Sequence, residues 1–455
     1  MSGPLAIGSR RELFVDRYLI DRLSDAVLKL HEPVRREIVF EVREPLENAC
    51  TFYYNLTQDG DRILLYYRGY YPIGANAADR DGSQTANLIV SEDGIHFERP
   101  EIGLYALHGS TANNIVRQGN EGHNFCVFRD GNPATPPEQR FKAVGGVGHN
   151  NLRGFFSADG LRWASVRPGP LAIEGAFDSL NTPLWDPTIG KYRLFSRYFE
   201  GGSDGSGVRA IQSCVSDDFI HWTAPTPHHY EPGVPLEHFY TNATTLCPGA
   251  EHLLLSFPLR FVPERTRNTE GMDYPGEGLS DAVFMTSRDG VHWDRTFLNA
   301  WLRPGPDQRN WTHRNVTPSV GLVTAPDEWS LYVCEHYGWS TNRLRRVTVR
   351  PYGFASIHAG YQGGQLVTKP LRFTGNTLFL NLATSAVGSI AVEVQEPDGR
   401  PIPGFSLHEA TPIFGDSLDE PVGWRGGASL GTLAGRSVRF RFALKDADLF
   451  ALRTG

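Results

Sequence analysis

Three carboxylates stand out by position. Glu47 lies in the segment EPLENACT (44–51), Asp178 in GAFDSLN (175–181) and Glu237 in LEHFYTN (236–242). Each comes just before a run rich in β-branched and aromatic residues, the composition of a strand. Each also has polar company. Asn181 follows Asp178, and His238, Tyr240 and Asn242 follow Glu237. A fourth strand start is preceded by NWTHRN (310–315), which brings Trp311, His313 and Arg314, and GHNN (148–151) brings His149. If the fold gathers these strand starts at one place, residues far apart in sequence line one pocket. Three carboxylates in one pocket suit glycosidic-bond hydrolysis. One carboxylic acid protonates the leaving oxygen, and a second acts as nucleophile or as base toward water. A third binds hydroxyls, and crowding keeps the acid protonated near neutral pH. Arg314 can pair with a carboxylate or clamp a substrate carboxylate or sulfate through two parallel hydrogen bonds. Trp311 offers a flat face for a sugar ring.

The elements that must position these residues announce themselves as a repeat. SEDGIHF (91–97), SADGLRW (157–163), SDDFIHW (216–222) and SRDGVHW (287–293) share one pattern. Asp-Gly makes a tight turn with glycine at positive φ, and the Ser and Asp side chains can bond the turn backbone. The aromatic then opens the next strand. Strand-like runs such as 62–67, 191–195, 252–257 and 329–334 precede or separate these turns, and no long helical periodicity is present. Units of this size, each a small antiparallel sheet, predict a propeller. Five units start near Glu47, His123, Asp178, Glu237 and Arg314, and the segment 12–20 is expected to help close the ring. The character changes after 351–353: alternating strands such as 389–394 and 437–442 predict a β-sandwich. The expected fold is therefore all-β, with residues 1–352 a five-bladed β-propeller and residues 353–455 a β-sandwich.

In blade order and in the context of its carboxylates, the chain resembles the five-bladed propeller glycosidases that include invertases, levanases and arabinanases. It is similar also to a bacterial group of invertase-like hydrolases. The resemblance spans roughly residues 40–350. It implies that Glu237 is the general acid, Glu47 the nucleophile or base, and Asp178 the transition-state stabiliser. His238, His313, Arg314, Trp311, Asn181, Tyr240, Asn242 and His149 would then contact substrate. The motifs depart from the family, however. Glu47-Asn48-Ala49 stands where invertases have Asn-Asp-Pro-Asn-Gly, Phe177-Asp178-Ser179 replaces Arg-Asp-Pro, and Glu237-His238-Phe239 replaces Glu-Cys-Pro. The expected function is hydrolysis of a furanoside or related small glycan. A glycoside phosphorylase, needing one acid and a cationic phosphate site, and a non-catalytic glycan-binding propeller are the alternatives.

Composition argues against nucleic-acid and membrane partners, and the partner that the resemblance implies is a carbohydrate substrate. The 455 residues carry 44 basic and 51 acidic side chains, a net charge of −7, with no basic stripe to neutralise nucleic-acid phosphates. No apolar run is long enough for a membrane span, and residues 1–13 lack the apolar core of a secretory signal, so a cytoplasmic location is expected. The cysteines (Cys50, Cys126, Cys214, Cys247, Cys334) form no CxxC pair, which points to buried thiols rather than a zinc or redox site. No metal or cofactor is expected. The glycine-rich stretch 201–207 lacks the strand-to-helix setting of a phosphate loop and reads as a surface loop.

Overall fold

The protein is described from a computed structural model that covers residues 3–73, 83–202 and 206–455. Residues 203–205 of the glycine-rich stretch lie outside the described residues. The chain is all-β and divides into two units.

One unit spans Val34–Ala325 and Trp329–Thr348. Among the described residues it holds five antiparallel sheets built on a path of four strands and a sixth of three. Sheet I consists of Phe52–Asp59, Arg62–Arg68, Thr85–Ser91 and Ile115–Gln118. Sheet II consists of Cys126–Arg129, Phe141–Gly145, Arg153–Ser157 and Ala164–Ser165. Sheet III consists of Thr182–Asp186, Lys191–Glu200, Val208–Ser216 and Thr226–Pro227. Sheet IV consists of Thr244–Leu246, Leu254–Ser256, Met285–Ser287 and Trp293–Asp294. Sheet V combines Thr317–Pro318, Trp329–Glu335 and Arg343–Val349 with Val34–Glu41 from the N-terminal side of sheet I. The hairpin of sheet IV runs on past Pro258 into a three-stranded sheet of His238–Phe239, Leu259–Val262 and Leu279–Ala282.

The repeated turns hold neighbouring sheets together. In each, the serine Oγ accepts from the amide of the third residue on: Gly94, Gly160, Phe219 and Gly290, all at 2.9 Å. The Asp side chain closes the turn from the other side, as Asp93 Oδ1 does by accepting from the amides of Ile95 and His96. The turn carbonyl is then capped from the preceding sheet. Tyr332 donates to Gly94 O at 2.8 Å, Tyr66 to Gly160 O at 3.0 Å, and Ser213 to Gly290 O at 2.8 Å. Phe219 replaces the glycine at φ +66° and packs on Phe128 of sheet II. A Cβ on Gly160, at φ +75°, would lie 2.6 Å from the Tyr66 hydroxyl. Gly160→Ala is therefore expected to lower stability by about 2–3 kcal/mol, from the left-handed backbone and the disturbed hydrogen bond. Urea unfolding of the variant checks this, and an unchanged midpoint would refute the role of the turn.

A second repeat consists of buried asparagines at the entries to the first strands. Asn55 donates to Phe125 O, and its Oδ1 accepts from Val127 N, tying sheet I to sheet II. Asn124 donates to Phe177 O and Ser179 O at the entry to sheet III. Asn242 reaches Phe195 O, and Asn315 accepts from Tyr337 N. Leu56 N donates to Val320 O and Val320 N to Tyr54 O, joining sheet V to sheet I. Apolar clusters fill the spaces between sheets: Tyr66, Phe125, Phe141 and Phe155 between I and II, and Phe195, Met285 and Trp293 between III and IV. Each such side chain contributes about 1.5–3 kcal/mol by burial.

The other unit comprises Met1–Pro33, Pro326–Glu328 and Val349–Gly455. Its frame is an eight-stranded sheet centred on Arg439–Thr454, which pairs along Leu378–Gln395. Here the expected domain assignment needs correction at the N-terminus. Glu12–Leu13 and Val27–Leu30 do not close the first unit. They pair with Arg439–Thr454 and Ala355–Ala359, while Ile20–Ser24 pairs with Gly364–Thr368. In the first unit it is Val34–Glu41 that pairs with Arg343–Val349. All five cysteines are buried, and none forms a disulfide among the described residues. No helix among these residues is long and apolar enough to cross a membrane.

Candidate active site

Asp178 sits at the tip of a tight turn closed by Ser179 N donating to Phe177 O at 2.7 Å. Asn124 and Asn181 both donate to the carbonyls of Phe177 and Ser179, and Ser179 Oγ donates to Tyr240 O at 2.6 Å. The carboxylate is thus held out from a fully bonded loop. It faces a cavity of about 360 Å³ lined also by His149, Arg197, Arg209, Tyr240 and Arg314. The long hairpin of sheet III supplies Arg197 and, on the facing strand opposite Phe199, Arg209. Arg314 comes from the entry to sheet V at φ +58°, and its guanidinium donates to the Tyr337 hydroxyl at 3.1 Å.

The cavity carries an excess of positive charge. Three guanidiniums converge on Tyr240, with their carbons 5.1 Å (Arg314), 5.5 Å (Arg197) and 5.9 Å (Arg209) from the ring centre. Arg197 is only 7% exposed, and its Nε has no hydrogen-bond partner; Arg209 Nε is buried and unpartnered as well. Burial and the charge of Arg197 lower the pKa of Arg209. Tyr240 is buried, which raises a phenol's pKa, but Arg314 and Arg197 outweigh this and bring it below the usual tyrosine range.

Asp178 bonds His123 Nε2 at 2.8 Å. The carboxylate is open to water yet deep among protein atoms, as on a cavity floor. Desolvation favours the acid form, but His123, Arg197 and Arg314 prevail and hold the carboxyl well below its usual range. His123 itself is buried against Arg68, and both effects lower its pKa to about 4. The ring is therefore neutral and donates Nε2–H to Asp178, which makes Nδ1 an acceptor. The Gln84 side-chain amide lies 2.5 Å from Nδ1, and with Nδ1 an acceptor its NH2 end faces the ring.

The expected carboxylate triad does not assemble. Glu47 is fully buried, held by Arg99 at 3.0 and 3.2 Å and by the Tyr67 hydroxyl at 2.7 Å. Glu237 is clamped by Arg260 at 2.9 Å and Arg295 at 2.7 Å. Neither lines the Asp178 cavity. Of the expected substrate contacts, Tyr240, Arg314 and His149 line it. Asn181 and Asn242 instead bond backbone carbonyls, and His313, 3% exposed, bonds Tyr274 O. His238 stands behind Arg209 at 3.4 Å. Trp311 lies in another cavity of about 610 Å³ with Arg260 and Leu298, and its indole donates to Gly305 O. Alternation along Leu259–Val262 turns Arg260 and Val262 to that larger cavity, while Phe261 packs on Tyr240 and Arg209. In the larger cavity Asp281 pairs with Arg260, and Arg265 and Arg303 also line it.

No family model and no curated protein matches the sequence. Solved structures give distant likenesses. An N-acetylgalactosamine deacetylase from F. plautii in complex with blood group B trisaccharide is 14% identical, over 72% of this chain and 96% of that one, with a TM-score of 0.47. A structure from the GH130 family of mannoside phosphorylases, which contains glycoside hydrolases that target beta-1,2 mannosidic linkages in Candida mannan, is 13% identical over 71% and 94%, with a TM-score of 0.43. A glycosyl hydrolase from Bacteroides ovatus is 14% identical over 73% and 97%, with a TM-score of 0.41. The reading of the site therefore rests on its own residues.

Sequence reasoning missed Arg197, Arg209 and the His123–Asp178 pair. One signal was present: arginines inside strands that are otherwise apolar and aromatic (KYRLFSRYFE, VRAIQSCVS) are costly unless they face a site. Among the described residues, no group of three His, Cys, Asp or Glu is arranged to hold a metal.

Proposed function

We propose that the first unit is a five-bladed β-propeller, the second a β-sandwich, and the Asp178 cavity the catalytic centre of a carbohydrate-active enzyme whose ligand presents an oxyanion to the arginines. The observation that carries this is the convergence of Arg197, Arg209 and Arg314 on a cavity with one carboxylate. Partly desolvated, uncompensated guanidiniums cost stability, and an anionic ligand offsets that cost through charge-assisted, bidentate hydrogen bonds. The sequence resemblance to propeller glycosidases supplies the carbohydrate class, and the cavity supplies the charge. A hydrolase with three carboxylates is not favoured, because Glu47 and Glu237 are bound to arginines elsewhere.

A second reading is phosphorolysis, in which the same arginines seat inorganic phosphate; the single carboxylate favours it over hydrolysis. Titration calorimetry with neutral, uronate-bearing and sulfated oligosaccharides, and with phosphate, tests both. Binding of anionic ligands that weakens with salt is expected. Asp178→Asn is expected to keep that binding within a few-fold. Equal binding of neutral sugars at high salt, with no anion preference, would sink the proposal.

A further inference from the structure

We propose that the oxyanion is the carboxylate of a hexuronate residue within a 1→4-linked glycan, and that the cavity cleaves the chain by β-elimination with the Tyr240 hydroxyl oxygen as the base. This rests on the reading of the cavity as a carbohydrate-active centre. The argument starts from what the cavity lacks. Hydrolysis and phosphorolysis both begin by protonating the leaving oxygen, which needs an acid that stays protonated near neutral pH. Asp178 is held ionised, His123 is neutral with Nε2–H committed to Asp178, and Glu47 and Glu237 are bound to arginines outside the cavity. Of the groups that line the cavity, Asp178 and Tyr240 are set as bases, and His149 is exposed to water.

Elimination begins with a base. The proton on C5 of a hexuronate lies next to a carboxylate, and cations on that carboxylate stabilise the charge that develops when the proton leaves. Arg197 and Arg209, with unpartnered Nε groups, and Arg314 are placed for this. The same three cations favour the phenolate of Tyr240, which lies among them and lines the cavity at 6% exposure. The Tyr53 hydroxyl, 3.4 Å from that of Tyr240, can donate to the phenolate. Asp178 is the anion that opposes it, and Phe261 packs on the ring from the three-stranded sheet.

The step balances without a co-reactant. The C5 proton moves to the Tyr240 oxygen, and its bonding pair forms the C4=C5 double bond. The C4–O4 bond breaks, and its pair leaves with O4. O4 takes the proton back from Tyr240 and departs as the reducing end of the preceding sugar. No water is consumed.

The full-length protein is incubated with polygalacturonate, glucuronan and chondroitin in ¹⁸O-labelled water, with and without inorganic phosphate. The expected products from at least one polymer absorb in the ultraviolet through the conjugated double bond, are one water lighter than hydrolysis products, and carry no label from cleavage. Tyr240→Phe keeps the ring and is expected to slow this reaction at least 100-fold, with polymer binding within a few-fold and thermal unfolding unchanged. In the parent protein, kcat/KM is expected to rise with pH as the Tyr240 phenol loses its proton, with the midpoint of that rise below the ordinary tyrosine range. Labelled, saturated products, or phosphate-dependent sugar phosphates, overturn elimination but leave the cavity reading intact. Chromophore formation undiminished in Tyr240→Phe overturns the role of Tyr240. Turnover of neutral glycans alone, with no binding of any uronan, overturns both.

Discussion

Replacing Arg197 by methionine is expected to weaken the binding of an anionic ligand about 30- to 1000-fold while making the folded protein more stable. The two effects share one cause. Arg197 is buried in a strand, its Nε is unpartnered, and it shares its cavity with the guanidiniums of Arg209 and Arg314 against the single carboxylate of Asp178. Methionine keeps the packed stem against Phe199 and Tyr240 and removes a desolvated cation. Relieving such a charge is worth about 1 kcal/mol or more, a rise in Tm of about 2 °C for a unit of this size. With ligand bound, the same change deletes a buried charge-assisted bond worth about 2–4 kcal/mol. Calorimetric unfolding and ligand titration of the one variant read both signs. A lower Tm, or unchanged affinity, would show that Arg197 serves the fold rather than a ligand.

Acid unfolding is expected to begin well above the range in which carboxylates titrate. Three histidines are buried in the neutral form. Burial brings the pKa of His228 down to about 3, and burial together with a neighbouring arginine brings His123 and His313 to about 4. An unfolded chain takes up a proton at each near pH 6.5, where the folded chain does not. As pH falls from 6.5 toward 4, the unfolded state binds more protons and stability drops. At 1.36 kcal/mol per pKa unit, each histidine removes about 3 kcal/mol or more by pH 4. Together they approach the roughly 5–15 kcal/mol that holds a typical domain. Asp178, with its depressed pKa, adds to the loss only below about pH 4. His228→Phe isolates one contribution. His228 stacks on Trp293 at 4.8 Å with neither ring nitrogen bonded, so phenylalanine keeps the packing and removes the titration. The variant is expected to unfold at lower pH than the parent and to match or exceed its stability at neutral pH. Identical acid midpoints would mean that His228 is not buried neutral.

Local chemistry determined much of the architecture. The Ser-x-Asp turns close on hydrogen bonds within six consecutive residues, so their recurrence marked the sheets before any pairing was known. Asp178, Tyr240 and Arg314 were legible for a related reason: each lies beside the entry to a sheet, a position the repeat itself locates, and His149 lies in a loop between two strands of sheet II. Partners distant in sequence decided the rest. The strands Glu12–Leu13 and Val27–Leu30 carry nothing that names Arg439–Thr454 and Ala355–Ala359 as the strands they pair with. Glu47 and Glu237 occupy the same kind of entry as Asp178, yet Arg99, Arg260 and Arg295 reach them and take them out of the cavity. Arg197 and Arg209 become cavity residues only because their hairpin pairs through to Glu200 and Val208. A residue's type and its place in a repeat are local properties. Whether its charge is balanced depends on which other side chains the folded chain brings within a few ångströms, and that the tertiary structure alone decides.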